Sequence, residues 1–239
     1  MSNFLKGSEW RKWDLHVHTK NTNKNDQFKS SDFNEFCVKF FTEAILNDIK
    51  VIGITDYFSI ENYKQVKKFQ DNIESNNIFD SQEKEKIKEI YLIPNVELRM
   101  LPSTDKGKLI NIHCLFNPNY IDNLEDDFFT TLEFNCCKMT KTGMTKLGRN
   151  LNPQIIDDEV AYKNGVNNFV VTPSDIQKML NDNNELRKNT IVVVSNSNHD
   201  GASGLQKHYA LFENDNSSSL DAVRRTIYNI SDMIFSCCK

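Results

Sequence analysis

Several features that would place the chain in a familiar class of proteins are scarce or missing. The 29 basic and 33 acidic residues nearly cancel to a net charge of −4, so no overall field points to a nucleic acid or a membrane surface as partner. There is no run of about 18 apolar residues, so no membrane span is expected. The opening MSNFLKGSEWRK also lacks an apolar segment of signal-peptide length. We therefore expect a cytoplasmic protein without a membrane partner.

The six cysteines follow no spacing that indicates a zinc finger or a CxxC motif. Four of them form two adjacent pairs, at 136–137 and 237–238. In a cytoplasmic chain the cysteines are expected to be reduced, with Cys37 and Cys114 buried as small apolar side chains.

What the sequence does contain is an alternation of strand and helix patterns. Strands are predicted over residues 13–18, 51–55, 90–98, 109–116 and 190–195, with a last short strand in DMIFS. Intervening helices are indicated by phenylalanines at spacings of three and four after a Ser31 or Asp32 N-cap, and by Pro173 after a Thr172 cap. The alternation predicts an α/β fold around a mostly parallel sheet or barrel, in one domain over residues 1–239.

The segment between residues 135 and 168 is harder to assign. Its KMTKTGMTKLGR carries Lys138, Lys141, Lys146 and Arg149 with no acidic residue among them. Such a run could follow a nucleic-acid backbone. A solvated loop is the favoured interpretation, because charged runs are more often solvated.

Histidine is rare, with five residues in the chain, yet two of them fall in KWDLHVHT. On a strand, His16 and His18 share one face with Asp14, and their imidazoles are close enough to share one metal ion or two neighbouring ions. A hydrogen-bonded histidine pair at a strand end is the alternative, and the pair alone does not decide between the two.

Further potential ligands lie at or near the ends of later predicted strands. They are Asp56, Glu97, His113, His199 and Asp200. In parallel α/β folds these ends meet at one site, and such a buried cluster is costly unless divalent metal ions compensate it. The predicted metal ligands are His16, His18, Glu97, His113 and His199. Imidazole-rich ligation favours Zn, Mn or Fe over Mg.

Five short segments carry a family resemblance, in the order DLHVHT, GITDY, NVELR, NIHCLF and SNSNHDG. Together they resemble the PHP family, named for polymerase and histidinol phosphatase, over most of the chain. The resemblance implies a distorted (β/α)7 barrel with a two- or three-metal site for phosphoester hydrolysis. KGSEWRKWDLHVHT and HDGASGLQ…DMIFS look more closely like the PHP module that begins the TrlF-like proteins, where an AAA-type or SMC-like ATPase region follows. Because this chain has no GxxxxGK[ST] loop, it would be a stand-alone module or the N-terminal part of a longer protein.

The match departs from the family pattern at three places. Tyr57 follows Asp56 where much of the family has a metal-binding histidine, and Ser197 stands two positions before His199 where the family has Asp. The histidine that often follows the HxH pair has no counterpart, although Asp26 lies in that segment. One to three metal ions, or a decayed site, are compatible with this set.

Two kinds of residue would complete the catalytic site that the resemblance implies. Asp56 or Asp200 would orient a ligand or accept a proton from the attacking water. Arg99 lies on the same strand face as Glu97 and is the candidate for binding a phosphate oxygen of the substrate. A surface salt bridge is the alternative for Arg99.

The resemblance implies three alternatives for function. The first is a metal-dependent phosphoesterase, a hydrolase acting on a phosphodiester of a nucleic acid or nucleotide. The second is a PHP-like module that has lost catalysis and docks or regulates an ATPase region or subunit. The third is a small-molecule phosphomonoesterase of the histidinol-phosphatase type.

Overall fold

Strands and helices alternate along the chain, which confirms the predicted α/β class. The structure is a computed structural model that describes residues 10–24, 26–101, 109–195 and 225–235. The strands are β1 (Lys12–His18), β2 (Ile49–Tyr57), β3 (Tyr91–Met100), β4 (Ile110–Phe116), β5 (Glu133–Phe134), β6 (Cys137–Lys138), β7 (Thr190–Ser195) and β8 (Met233–Phe235). The helices are α1 (Phe33–Leu46), α2 (Glu61–Asp71), α3 (Ser81–Glu89), α4 (Lys141–Leu151), α5 (Asp158–Asn168), α6 (Pro173–Asp182) and α7 (Asn184–Lys188), and residues 225–230 are also helical.

Six of these strands form one sheet, in the order β1-β2-β3-β4-β7-β8. The pairs β1–β2, β2–β3 and β7–β8 are parallel, whereas β4 runs antiparallel to both of its neighbours. Only residues 101–109 connect β3 with β4, fewer than the dozen or so that a parallel crossover requires. The sheet is therefore mostly parallel as predicted, with one reversed strand at its centre.

The sheet curls so that its two edge strands approach each other on one face. A flat sheet would separate β1 from β8 by five strand spacings, about 24 Å. Instead the ring of Phe235 on β8 stacks on that of His16 on β1, with 6.2 Å between the ring centroids. The described residues thus form a half-barrel, and the complete (β/α)7 barrel stays a prediction.

Two apolar clusters cover the outside of this sheet. One joins α1, α2 and α3 to β2 and β3 through side chains such as Phe41, Val66 and Ile54. The other packs α4, α6 and α7 against β3, β4 and β7. Helix α1 follows its predicted pattern: Asp32 caps it by accepting a hydrogen bond from the Glu35 N–H, and Phe41 is fully buried.

The predicted solvated loop after residue 138 is wrong, because most of it is a helix. Thr140 caps α4 by accepting a hydrogen bond from the Gly143 N–H, and Met144 and Leu147 turn into the core. Helix α5 packs against α4 at backbone contact distance. A Cβ on Gly148 would come within 1.8 Å of the Ala161 carbonyl oxygen, so only glycine fits there. The basic side chains therefore lie on the outside of a packed helix.

Two expectations from composition can be compared with the structure. Cys37 and Cys114 are free and fully buried, as predicted. Within the described ranges, no helix has the length and apolar character needed to cross a membrane.

Candidate metal centre

Three of the predicted ligands converge at one point on the concave face of the sheet. The Nε2 atoms of His16 and His18 are 3.2 Å apart. Glu97 Oε2 lies 3.4 Å from His16 Nε2 and 3.2 Å from His18 Nε2. Among the described residues these three form the only group whose ligand atoms are close enough to hold one metal ion.

The dimensions of this triangle fit a small divalent cation. Ligand atoms about 2.0–2.1 Å from a tetrahedral zinc ion lie about 3.3 Å from one another, close to the three observed separations. Both carboxylate oxygens of Glu97 are fully buried and neither makes a hydrogen bond of good geometry, although Oε2 lies near the two imidazoles. A buried carboxylate that is only partly compensated gains from a bound cation. The donor set and its geometry therefore suit a metal ion.

The local structure of β1 and β3 explains how these residues meet. The β1–β2 register moves from Asp14 opposite Ile52 to Val17 opposite Ile54, so β1 carries a bulge just before His18. Bulges re-aim side chains and are frequent beside functional sites. The curl of the sheet then brings the side chain of Glu97, from the third strand, against both histidines of the first strand.

His113 lies beside the triangle but outside the group of three. It is directly opposite Glu97 in the antiparallel β3–β4 pair, which places both side chains on the same face. Its ring centroid is 4.4 Å from that of His16, and its Nε2 is buried without a hydrogen-bond partner. Burial lowers the pKa of His113 to about 3. The imidazole is therefore neutral near pH 7, the form that binds metals.

The three histidines also control the ionisation of Glu97. Burial acts to raise the pKa of this carboxyl group, but contacts with His16 and His18 and the nearby His113 outweigh it and lower the pKa. Glu97 is thus an anion near neutral pH, as a metal ligand must be.

Asp56 is the second-last residue of β2, and its side chain faces away from the triangle. Its Oδ1 accepts hydrogen bonds from Thr22 Oγ1 at 3.1 Å, Asn23 N at 3.3 Å and Tyr57 N at 2.9 Å. Alternation along a strand places consecutive side chains on opposite faces. Accordingly, Tyr57 and not Asp56 contacts the histidines. Burial raises the pKa of Asp56 to about 7, against the effect of these donors.

Tyr57 occupies the position where the resemblance expects a histidine ligand. Its ring stacks on His18, with 5.1 Å between the centroids. Burial and the nearby Glu97 raise the pKa of Tyr57 to about 12, against the effect of Arg99. Tyr57 therefore remains a neutral phenol that can donate a hydrogen bond. The next residue, Phe58, has a φ of 54°, a strained conformation for an aromatic residue.

Arg99, the predicted phosphate-binding residue, lies over the ring of Tyr57. Its guanidinium carbon is 5.4 Å from the centroid of the Tyr57 ring. Arg99 Nε is buried and makes no hydrogen bond to the described part of the chain. The guanidinium is thus held beside the ligand triangle by an aromatic ring.

A second cation, Lys24, was missed in the sequence analysis. It is half-buried, and burial and the charge of Arg99 lower its pKa, whereas Glu97 acts in the opposite direction. Its neighbour Asn23 fixes the loop by donating from Nδ2 to the Tyr57 carbonyl oxygen at 3.0 Å. Nothing in TKNTNKND distinguishes Lys24 from Lys20, because the loop acquires its position only in the fold.

The remaining predicted residues are not part of the described centre. His199, Asp200 and Ser197 lie outside the described residues. Asp26 accepts hydrogen bonds from the backbone N–H groups of Asn21 and Phe28, and thereby organises its own loop.

Comparison with known proteins assigns no family. No protein-family profile and no curated protein matches the sequence. Among solved structures, a crystal structure of a Bifidobacterium adolescentis protein to which metal-dependent phosphoesterase activity is ascribed aligns over 94% of this chain and 76% of that one. The TM-score is 0.41 and the sequence identity is 12%. A likeness this low carries no argument about fold or function.

Proposed function

We propose that the chain is a metal-dependent phosphoesterase that hydrolyses a phosphodiester of a nucleic acid or nucleotide. The observation that carries the proposal is the triangle of His16, His18 and Glu97, whose buried carboxylate makes no hydrogen bond of good geometry. The PHP resemblance of the surrounding sequence connects such a site with phosphoester hydrolysis. The preference for a diester follows the resemblance alone.

The roles follow from chemistry and position. His16, His18 and Glu97 would hold a Zn, Mn or Fe ion, with His113 and His199 as further ligands, and one to three ions in all. A bound ion supplies Lewis acidity and a water that ionises near neutral pH. Asp200 would accept a proton or orient a ligand, whereas Asp56 faces away from the triangle and anchors the loop that carries Asn23.

The chain's own cations and donors would bind the phosphoryl group. Arg99 presents a guanidinium beside the ligand triangle and suits two phosphate oxygens. Tyr57, a neutral phenol whose ring contacts both His18 and Arg99, can donate to a third oxygen. Lys24 adds positive charge beside Glu97 and Arg99. These groups would bind and orient an anionic substrate over the metal ligands.

The test is hydrolysis by chelator-treated protein after addition of Zn, Mn or Fe. Bis(p-nitrophenyl) phosphate represents a diester and p-nitrophenyl phosphate a monoester. We expect metal-dependent turnover that favours the diester and disappears in Glu97→Gln. Lys39→Met serves as the control, because Lys39 is an exposed partner of Glu35 on α1. Turnover that survives Glu97→Gln would contradict the proposal.

The second candidate is a metal-binding module without catalysis that docks an ATPase region. The observation that favours it is Tyr57, which fills the position of an expected ligand by stacking on His18. It predicts that the protein binds metal but hydrolyses neither phosphoester. A preference for the monoester would instead support the histidinol-phosphatase type.

A further inference from the structure

A buried amide lies beneath the ligand triangle and connects four strands. Asn95 on β3 is fully buried, and its Nδ2 lies 2.8 Å from the Leu15 carbonyl oxygen on β1 and 2.9 Å from Thr55 Oγ1 on β2. Its Oδ1 lies 3.3 Å from His113 Nδ1 on β4. The amide therefore contacts strands that together carry His16, His18 and His113.

The hydrogen-bond partners fix the orientation of this amide. A backbone carbonyl oxygen can only accept a hydrogen bond, so the group that faces Leu15 must be the NH₂ of Asn95. The Thr55 hydroxyl is consistent with this orientation. It donates to the Gly53 carbonyl oxygen at 3.3 Å and can therefore accept a hydrogen bond from Asn95 Nδ2. Asn95 Oδ1 must then be the atom that faces His113.

The same reasoning fixes the proton on His113. An amide oxygen has no hydrogen to donate, so the contact with His113 Nδ1 is a hydrogen bond only if Nδ1 carries the proton. In a neutral imidazole Nε2 is then left with a free lone pair. That Nε2 is buried and has no partner in the described part of the chain. The lone pair is available to a metal ion.

We propose that Asn95 is a positioning residue that holds His113 in the Nδ1–H form, so that Nε2 serves as a metal ligand. The inference rests on the proposed metal centre but not on the reaction. Hydrogen bonds to the second nitrogen of a ligand histidine orient the ring and set its tautomer in many metal sites. Here a neutral amide takes that role.

Close packing of β1 on β2 supports this assignment. A Cβ on Gly53 would come within 2.2 Å of the Leu15 carbonyl oxygen. Because glycine has no side chain, this carbonyl can lie close to β2 and accept the hydrogen bond from Asn95. The Leu15 carbonyl lies at the β1 bulge, directly before His16. Asn95 thus couples the strand of the HxH pair to the strand of His113.

The first test measures the tautomer directly in the metal-free, full-length protein. Long-range ¹H–¹⁵N NMR of labelled histidine distinguishes a protonated ring nitrogen from a bare one, and loss of the signals in His113→Gln assigns them. We expect a protonated Nδ1 and a bare Nε2. A protonated Nε2 would overturn the proposal. This result does not depend on hydrolysis, so its failure is distinguishable from failure of the proposed function.

The second test measures zinc affinity of Asn95→Leu by competition with a chelator. We expect a loss of about 10- to 100-fold, the usual effect of removing an outer partner of a ligand histidine. Gln70→Leu is the matched control, because Gln70 is also a buried amide that donates to two backbone carbonyls, at 2.8 Å from each. Equal affinity in the two variants would overturn the proposal. Should Asn95→Leu fail to fold, the tautomer measured in the unaltered protein still decides.

Discussion

The two faces of strands β3 and β4 are equally buried, but one is packed with apolar side chains and the other carries polar atoms without hydrogen bonds. On the outer face, Val96, Leu98 and Ile112 are fully buried within an apolar cluster. On the concave face, Glu97 and His113 are also fully buried, yet Glu97 Oε1, Glu97 Oε2 and His113 Nε2 have no hydrogen-bond partner. Neighbouring residues of one strand are thus equally buried, but only those on the outer face are buried in apolar packing.

The difference teaches which face serves stability and which serves function. Burial of apolar side chains contributes about 25 cal/mol per Å² to stability. A buried polar atom without a partner instead costs about 1–3 kcal/mol. The concave face therefore adds less to the stability of the metal-free fold than the apolar face does. Substitutions on the two faces should change stability and metal binding in opposite ways.

The largest effect is expected when the ligand pair is removed on the concave face. His16→Ala/His18→Ala should reduce bound metal to a trace and abolish hydrolysis, because two of the three converging ligands are lost. Both side chains are partly exposed, but their loss also removes the contacts that favour ionised Glu97, so the metal-free unfolding free energy should fall by about 1–2 kcal/mol. Elemental analysis and urea unfolding measure the two quantities, and retained metal would contradict the assignment.

Leu98→Ala, on the outer face, should show the opposite pattern. The side chain is fully buried in the larger cluster, so its truncation should lower the unfolding free energy by about 2–5 kcal/mol. Metal stoichiometry at low temperature should be unchanged. Urea unfolding of the chelator-treated protein measures the change in unfolding free energy. A loss of metal binding with little destabilisation would show that the two faces are not separable.

Asp56→Asn tests the buried acid at the end of β2. Its pKa is raised from 3.8 to about 7, so the folded state retains a proton that the unfolded state releases between these values. The contribution of Asp56 to stability is therefore complete below about pH 4 and is lost as pH rises to about 7. The free energy of unfolding of Asp56→Asn should therefore rise relative to that of the wild type as pH increases from 4 to 7. The expected total is up to about 4 kcal/mol, at 1.36 kcal/mol per pKa unit. Urea unfolding of metal-free protein at pH 4, 5.5 and 7 measures it, and a pH-independent difference would contradict the raised pKa.

The smallest effect is expected for Lys24→Met. Loss of one partly buried cation beside Arg99 should raise the KM for a phosphodiester about tenfold, near 1.4 kcal/mol, and leave kcat within about threefold. Steady-state kinetics at low and high salt measure the change, which should diminish as salt rises. If Lys39→Met, remote from the site, raises KM equally, Lys24 has no specific role.

The sequence predicts most of what depends on local periodicity. Alternation in KWDLHVHT identifies His16 and His18, and the patterns around Glu97 and His113 place both residues on the polar faces of their strands. The predicted strand over 190–195 coincides with β7, and Thr172 caps α6 with Pro173 at its first position. These elements follow from propensities and caps that act within a few residues.

What the sequence does not predict depends on contacts between distant segments. The direction of β4 is decided by a connection too short for a crossover, and the helix α4 by packing against α5 at Gly148. Asp56 lies near a strand end, as predicted. Because consecutive side chains of a strand point to opposite faces, however, the adjacent Tyr57 and not Asp56 contacts the metal ligands. The role of Asn95 depends on four strands and has no local signal.

Calorimetric unfolding of Glu97→Gln beside the wild type, with and without zinc, tests the central claim most directly. If the concave face exists to bind metal, zinc should raise the unfolding temperature of the chelator-treated wild type and leave that of Glu97→Gln unchanged, because the variant lacks the anionic ligand. A wild type that does not respond to zinc, or a variant that responds equally, would show that the cluster is structural and would contradict the account.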